Sequence, residues 1–132
     1  MRILLDTHAF LWWVTDSAEL SRRARRVIAD GANEIYFSAA SAWEIAIKSS
    51  LGRVTLPDEP EVFITAQLQE NGFQVLPVQL HHALGVAALP AVHRDPFDRL
   101  LIAQAITEPA VLYTADPQLP PYSQLVRQVA GR

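Results

Sequence analysis

The amino-acid sequence predicts an α/β fold, a three-layer α/β/α sandwich around a short central parallel sheet. Short aliphatic runs such as RILL and AVLYT have the length and composition of buried strands, and stretches with helical spacing separate them. Strands that alternate with helices are typical of a parallel sheet that helices cover on both faces. The 132 residues contain no internal repeat, low-complexity tract or linker, so we expect one domain over residues 1–132 with a substantial core.

The first part of the chain predicts two strands and three helices, most with a residue that marks the end. Gly31 follows the second helix and Gly52 follows the third, as helix-ending glycines do. In order, the elements are a strand at RILL, a helix at AFLWW, a helix from Ser21 to Asp30, a strand from Glu34 to Phe37 closed by Ser38, and a helix at AASAWEIAIKSSLG.

The second part predicts three more helices and two more strands. In order, these are a helix at EVFITAQLQENG, a strand at FQVLPV, a short helix at LHHALGVAAL, a helix within HRDPFDRLLIAQAITEP and a buried strand at AVLYT. The last stretch, LPPYSQLVRQVAGR, has the weakest pattern. Either an edge strand around Leu125 and Val126 or no regular structure fits it.

Composition excludes several classes of protein. Hydrophobic residues make up 50% of the chain, yet no apolar run approaches the roughly 18–20 residues of a membrane span. The start lacks the layout of a signal peptide, so we expect no membrane association and a cytosolic location. The absence of cysteine excludes disulfides, thiolate metal ligands and cysteine nucleophiles.

The positive charge is unevenly distributed. The net charge is −3, which does not indicate bulk polyanion binding, but four arginines fall within RRARR: Arg22, Arg23, Arg25 and Arg26. Two interpretations remain open. The cluster is either the solvated face of a helix or a patch that contacts phosphates, because guanidinium pairs with phosphate in a bidentate manner.

Four acids are placed where a parallel sheet gathers its ligands. Asp6 directly follows the first strand and Asp116 closely follows the strand AVLYT, so both point to the carboxyl edge of the sheet. Glu44 and Asp98 lie on helices that can reach this edge. Like charges that converge need a counter-ion, and Mg²⁺ or Mn²⁺ prefers carboxylate and water oxygens.

The first two acids also have purely structural interpretations. Asp6 can act as a turn or cap residue at the end of its strand. Glu44 can complete a capping box with Ser41 or form a surface i,i+4 pair with Lys48. Against the capping box, the strand ends at Phe37, so Ser38 is the better N-cap and Glu44 then lies inside the helix.

The DPFD stretch and the final acid have structural alternatives too. Asp95 before Pro96 is the expected pair of N-cap and first helical residue, and a contact to metal or water is its second interpretation. Asp98 falls in the first turn, where the helix dipole favours a negative charge. Asp116 can initiate an Asp-Pro turn. The order of the set, strand end, helix, helix start and strand end, favours one common site.

Four motifs carry a family resemblance. LLDTHAFLWW, SAASAWEIAIKSSLGR, HRDPFDRLLIAQA and LYTADPQL closely resemble PIN-domain ribonucleases, specifically the VapC-type toxins of toxin–antitoxin pairs. The resemblance extends from Ile3 to about Leu119 and rests on four separate motifs in the right order. It implies a PIN-like fold and a metal-dependent endoribonuclease.

The resemblance also implies the site, the cofactor and the partners. The family's four acids match Asp6, Glu44, Asp98 and Asp116, with Thr114 as a hydroxyl neighbour, and Asp95 belongs to the DPFD form of the motif. The implied cofactor is Mg²⁺ or Mn²⁺, and the implied substrate is RNA. The implied partner is a cognate antitoxin whose tail covers the site, with assembly as a homodimer or as a hetero-oligomer with the antitoxin.

Three further residues are candidates for supporting roles. Thr7 and Ser38 either hydrogen-bond waters on the metal or simply cap helices. Arg99 either stabilises charge in the transition state, grips RNA or pairs with a site carboxylate.

The histidines and the first two tryptophans point to no specific chemistry. We interpret His8 and His93 as polar residues at the rim, and the pair His81-His82 as surface or helix packing. Trp12 and Trp13 adjoin on one helix, so we expect one in the core and the other on an exposed patch that a partner covers.

Three rival functions are weaker. A signalling receiver domain needs a pair of early acids and a late Lys, whereas Asp6 stands alone and no Lys follows Lys48. An aspartyl-phosphate phosphatase needs an Asp where this chain has His8. The remaining alternative is a PIN-like RNA-binding or interaction module without catalysis.

Overall fold

A computed structural model describes residues 1–90 and 95–130. Five parallel strands form one sheet with the order β3-β2-β1-β4-β5. The strands are β1 (Arg2–Leu5), β2 (Glu34–Ser38), β3 (Gln74–Leu76), β4 (Val111–Thr114) and β5 (Val126–Gln128). The helices are α1 (Thr7–Val14), α2 (Arg22–Ala29), α3 (Ala39–Ser50), α4 (Pro60–Asn71), α5 (Leu80–Gly85) and α6 (Pro96–Thr107), with short 3₁₀ turns at Val86–Ala88 and Pro120–Tyr122.

The sheet is covered on both faces, as the predicted three-layer sandwich requires. Side chains of a strand alternate between faces, and β1 shows this directly. Ile3 and Leu5 join a core with residues of α1, α2, α3 and α4, whereas Leu4 joins a second core with Leu101 and Ile102 of α6. The expected α/β class and central parallel sheet are therefore confirmed.

Polar side chains start four of the helices. Asp6, Ser21, Ser38 and Asp95 are N-caps of α1, α2, α3 and α6, and each accepts a hydrogen bond from a backbone N–H of the first turn. Ser38 as the cap of α3 confirms that Glu44 lies inside that helix. Gly72 ends α4 with a φ of 66°, a left-handed conformation that favours glycine.

Two elements differ from the sequence expectation, and the structure decides between the two alternatives left open for the last stretch. The strand expected at FQVLPV is shorter, because Pro77 follows Leu76 and has no N–H for the ladder. The helix expected at LHHALGVAAL ends at Gly85 and continues as a 3₁₀ turn. The last stretch does form an edge strand, β5, which is parallel to β4.

The expectation for the two adjacent tryptophans is wrong. Trp12 and Trp13 are both half-buried and pack against the core, and Trp13 Nε1 donates a 3.0 Å hydrogen bond to Asn71 Oδ1 of α4. Trp43 is the exposed tryptophan instead, with an edge-to-face contact to Phe97.

No helix in the described residues is both long and apolar enough to cross a bilayer.

Candidate active site

A cavity of about 370 Å³ opens at the carboxyl edge of the sheet. Among the described residues, five carboxylates contribute to its lining, together with one ammonium group. The lining residues are Asp6, His8, Trp12, Glu44, Lys48, Asp95, Asp98, Ala115 and Asp116. The structure thus brings the four acids predicted from the sequence to one cavity, and Asp95 with them.

Asp6 is the most constrained of these acids. Its backbone N–H donates to Tyr113 O of β4, and its side chain is 4% exposed. Oδ1 accepts a 2.8 Å bond from Ala9 N, so the capping interpretation is correct as well. Burial raises the pKa of Asp6 above the usual 3.8, although hydrogen bonds from Thr114, Ala9 and Ala115 partly oppose the rise.

Thr114 connects the first acid to the last. Its hydroxyl donates a 2.6 Å bond to Asp6 Oδ2 and accepts a 3.0 Å bond from Asp116 N. Ala115 N also donates to Asp6 Oδ2, at 3.0 Å. Asp116 Oδ1 in turn accepts a bond from Gln118 N, which is the Asp-Pro turn expected as its alternative role. The end of β4 therefore holds both carboxylates in place.

Glu44 lies on α3 and is almost completely buried. Each of its two carboxylate oxygens accepts a hydrogen bond. Oε1 accepts a 2.6 Å bond from the hydroxyl of Thr7, and Oε2 lies 2.5 Å from Lys48 Nζ. The i,i+4 pair named as an alternative does form, but it is not a surface pair, because Glu44 is only 5% exposed. Thr7 thus orients Glu44 from the first turn of α1.

Asp95 and Asp98 come from the start of α6. Asp95 Oδ1 accepts bonds from Phe97 N at 2.9 Å and from Asp98 N at 3.2 Å, which confirms its capping role. Asp98 lies in the first turn of the helix, where the dipole favours its charge. The cap therefore sets the position from which Asp98 reaches the cavity.

Four of the expected supporting residues lie outside the cavity lining: Thr7, Ser38, Arg99 and Thr114. Thr7 and Thr114 nevertheless hold two of the acids that line it. The buried hydroxyl of Ser38 donates a 2.6 Å bond to Gln104 Oε1 and accepts a bond from Ala40 N, so capping is the role that the structure assigns to it. Arg99 donates to the carbonyl groups of Pro90 and Val86. These contacts anchor the start of α6 to the segment that precedes it.

The arginine cluster lies on α2, and none of its arginines is part of the cavity lining. Arg22, Arg23 and Arg26 are exposed. Arg25 lies 2.6 Å from Asp16 and also donates to Ser17 O. Exposure of these arginines is compatible with both interpretations, a solvated helix face and a patch that contacts phosphates, and RNA binding there stays a prediction.

The chemistry of the cavity lining fits a hard divalent cation. Carboxylate oxygens dominate it, and a metal would compensate their excess of negative charge. In the part of the chain that the structure describes, three possible ligand atoms within 4.8 Å of one another occur only at His81, His82 and Glu108. The cavity acids are spaced more widely, which suits an ion that keeps several of its waters.

The group of His81, His82 and Glu108 is structural. His82 is fully buried, and its Nδ1 accepts a 3.0 Å bond from Gln79 N, so the ring proton belongs on Nε2. Nε2 lies 2.6 Å from Glu108 Oε2 and donates to it. Both ring nitrogens are thus used, which excludes metal binding by His82 in this tautomer. Surface or helix packing was predicted for this pair, and both occur: His82 is packed in the interior and His81 is exposed. His93 lies outside the described residues.

Sequence reasoning missed Lys48 and Trp12 as cavity residues. Lys48 is four residues after Glu44 and is the one lysine in the chain, which was a usable signal. Trp12 carried no such signal, because helical spacing alone does not distinguish a core face from a cavity wall. His8 is exposed and lines the cavity, in agreement with its expected position at the rim.

Comparisons with known proteins identify the family of this chain. The PIN domain model matches residues 3–123. Ribonuclease VapC22 of Mycobacterium tuberculosis (strain ATCC 25618 / H37Rv) is 32% identical over 117 residues, which are 89% of this chain and 88% of that protein. Ribonuclease VapC16 of the same organism is 33% identical over 66 residues, or 50% of this chain and 47% of that protein.

A solved structure shares the fold. The crystal structure of VapBC2 from Rickettsia felis bound to a DNA fragment from their promoter has a TM-score of 0.73 and 14% identity, and the match covers 98% of this chain and 99% of that one. Sequence motifs, fold and family match agree, and the expected family is confirmed. The chain belongs to the PIN domain family and is related to the VapC ribonucleases.

Proposed function

We propose that this protein is a metal-dependent endoribonuclease that hydrolyses RNA phosphodiester bonds and acts as the toxin of a toxin–antitoxin pair in the cytosol. The observation that carries the proposal is the convergence of five carboxylates on one cavity at the carboxyl edge of the sheet. The relationship to ribonuclease VapC22 supports the same activity.

In this proposal, Asp6, Asp98 and Asp116 hold Mg²⁺ or Mn²⁺ directly or through water. Glu44 completes the shell or orients the attacking water. When bound, such an ion supplies an activated water and relieves charge on the phosphate oxygens.

The chain's own hydrogen bonds prepare these acids for the task. Thr114 and Ala115 N–H hold one oxygen of Asp6, and the N–H of Ala9 holds the other. Thr7 holds Glu44, and Asp95 sets the first turn that carries Asp98. Preset carboxylates reduce the reorganisation that cation binding would otherwise require.

The proposed partner is an antitoxin protein, with this chain acting either as a homodimer or in a hetero-oligomer. Large hydrophobic side chains remain exposed, including Leu80 at 74%, Leu84 at 65% and Trp43 at 62%. Leu80 and Leu84 lie four residues apart on α5 and so share one helix face, and a contiguous exposed apolar patch is typical of a surface that a partner covers. One solved structure that shares the fold is of VapBC2.

Two measurements test the proposal. Mn²⁺ is expected to raise the melting temperature of the wild type, because a ligand that binds only the folded state stabilises it. The wild type, expressed in cells, is expected to create new RNA 5′ ends. Asp98→Asn should lose both effects.

Asp58→Asn is the matched control, because it removes the same charge from an exposed loop residue. It should behave as the wild type. New 5′ ends that form equally with wild type and Asp98→Asn would refute the assigned chemistry. Stabilisation by Mn²⁺ without any cleavage would instead favour the non-catalytic PIN-like module.

A further inference from the structure

Lys48 is an unexpected cation inside an acidic cavity. It is the single lysine of the chain, and it lies one helical turn after Glu44 on α3. Its Nζ is 2.5 Å from Glu44 Oε2, and the side chains of the two residues are 29% and 6% exposed, respectively. The ammonium is therefore anchored at one side and still accessible from the cavity that it lines.

The partners of Glu44 explain why Lys48 stays in this position. Glu44 is buried, so its charge needs bonding partners. Thr7 satisfies one oxygen and Lys48 the other. A cation that bound Oε2 directly would have to displace the ammonium, so the ion pair is compatible with a role of Glu44 that acts through water, and it holds a positive charge at the cavity wall.

The charge of the lining gives this ammonium a function. An RNA phosphate that enters the cavity is repelled by five carboxylates, and Lys48 is the one Lys or Arg among the described residues that line it. An ammonium group has three donors, of which Glu44 uses one. Lysine binds phosphate well as a point charge.

We infer that Lys48 is a phosphate-binding residue of this cavity, that it contacts a backbone phosphate of the RNA, and that Glu44 anchors it. This inference rests on the proposed function, since it names how the substrate of the same site is held. It extends the site beyond the acids to a residue that binds the anion itself.

The test compares Lys48→Gln with the wild type on a labelled, mixed-sequence single-stranded RNA in Mg²⁺, over a range of salt concentrations. Gln keeps a donor for Glu44 but lacks the charge. We expect kcat/KM at low salt to fall about tenfold. The slope of log(kcat/KM) against log[salt] should become shallower by about 0.7, the value for one lost phosphate contact on a single strand.

Two further variants separate charge from structure. Lys48→Arg keeps the charge and should keep most of the wild-type slope. Arg53→Gln removes a charge from an exposed residue just after α3 and should leave the slope unchanged. Lys48→Met is measured in parallel, and melting temperatures identify any variant that does not fold.

The outcomes distinguish this inference from the proposed function. If the wild type cleaves the RNA, and Lys48→Gln and Lys48→Met match it in kcat/KM and in salt slope, the inference is overturned and the pair is structural. If the wild type leaves the RNA intact, the nuclease proposal fails. Binding of the intact RNA in the same buffer then tests Lys48, with the same expected change in slope.

Discussion

The hydroxyl of Thr114 donates a 2.6 Å hydrogen bond to Asp6 Oδ2 between residues 108 positions apart in the chain. This contact joins the end of β4 to the end of β1, two neighbouring parallel strands. Asp116 N donates to the same hydroxyl, so one buried side chain organises two of the acids.

Replacing Thr114 with Val should therefore weaken both the fold and the site. Val keeps the shape but removes the donor to Asp6 and the acceptor for Asp116 N. The free energy of unfolding in urea should fall by about 1–3 kcal/mol, because buried polar groups lose their partners. Thr55→Val, at an exposed loop position, is the control. Equal unfolding free energies for Thr114→Val and wild type would contradict this assignment.

The raised pKa of Asp6 predicts a pH dependence of stability in the absence of metal. Burial raises this pKa above 3.8, so the folded state keeps the proton to higher pH than the unfolded chain does. The free energy of unfolding therefore falls as pH rises from the pKa of Asp6 in the unfolded chain to its pKa in the folded protein. Above the folded-state pKa, this loss of stability is complete. The side chain of Asp6→Asn cannot ionise, so this variant does not lose that stability as pH rises.

The stability of Asp6→Asn relative to wild type should thus increase as pH rises from about 4 and then level off. Urea denaturation in EDTA at a series of pH values measures this difference. A difference that stays constant from about pH 4 to about pH 8 would show that the Asp6 carboxyl titrates alike in both states.

Ser38→Ala should affect folding and leave metal binding intact. Ser38 caps α3 and donates to Gln104, and it does not line the cavity. Loss of the cap should cost about 1–2 kcal/mol, whereas the rise in melting temperature with Mn²⁺ should equal that of the wild type. Ser50→Ala, at the exposed end of the same helix, is the control. Loss of the Mn²⁺ effect in Ser38→Ala would instead favour a role on the waters of the metal.

The arginine cluster predicts a salt-dependent affinity for RNA. The variant replaces Arg22, Arg23 and Arg26 with Gln and keeps Arg25, which pairs with Asp16. Each phosphate contact that is lost should flatten the slope of log affinity against log[salt] by about 0.7. Filter binding to single-stranded RNA in EDTA at several salt concentrations measures this slope, with Arg53→Gln as the control. An unchanged slope would leave the cluster as a solvated face without a role in binding.

Much of the fold could be predicted because its signals are local. Aliphatic runs, helix caps such as Ser38 and Asp95, and glycine stops are readable in short windows, and the structure has elements at those places. The least accurate boundaries were at β3 and α5, where a proline and a short helix weaken the pattern. The family motifs predicted which acids would approach one another, because the carboxyl ends of parallel strands share one edge.

The surroundings of each side chain could not be predicted in the same way. Glu44 and Lys48 are readable as an i,i+4 pair, but α1 and Thr7 determine that the pair is buried rather than exposed. Arg99 neighbours Asp98 in the chain, yet its guanidinium donates to carbonyl groups before α6. Neither outcome follows from spacing, because both depend on residues far away in the sequence.

By itself, the sequence determined the succession of strands and helices, the caps that start α3 and α6 and the positions of the acids along the chain. Only the tertiary structure decided that Thr114 binds Asp6, that Lys48 shares the cavity with the acids and that Ser38 faces Gln104 instead. The physical reason is the separation along the chain over which each interaction acts. Backbone preferences and caps act within a few residues, whereas burial, charge pairing and pKa shifts arise from groups that meet only when the sheet is assembled.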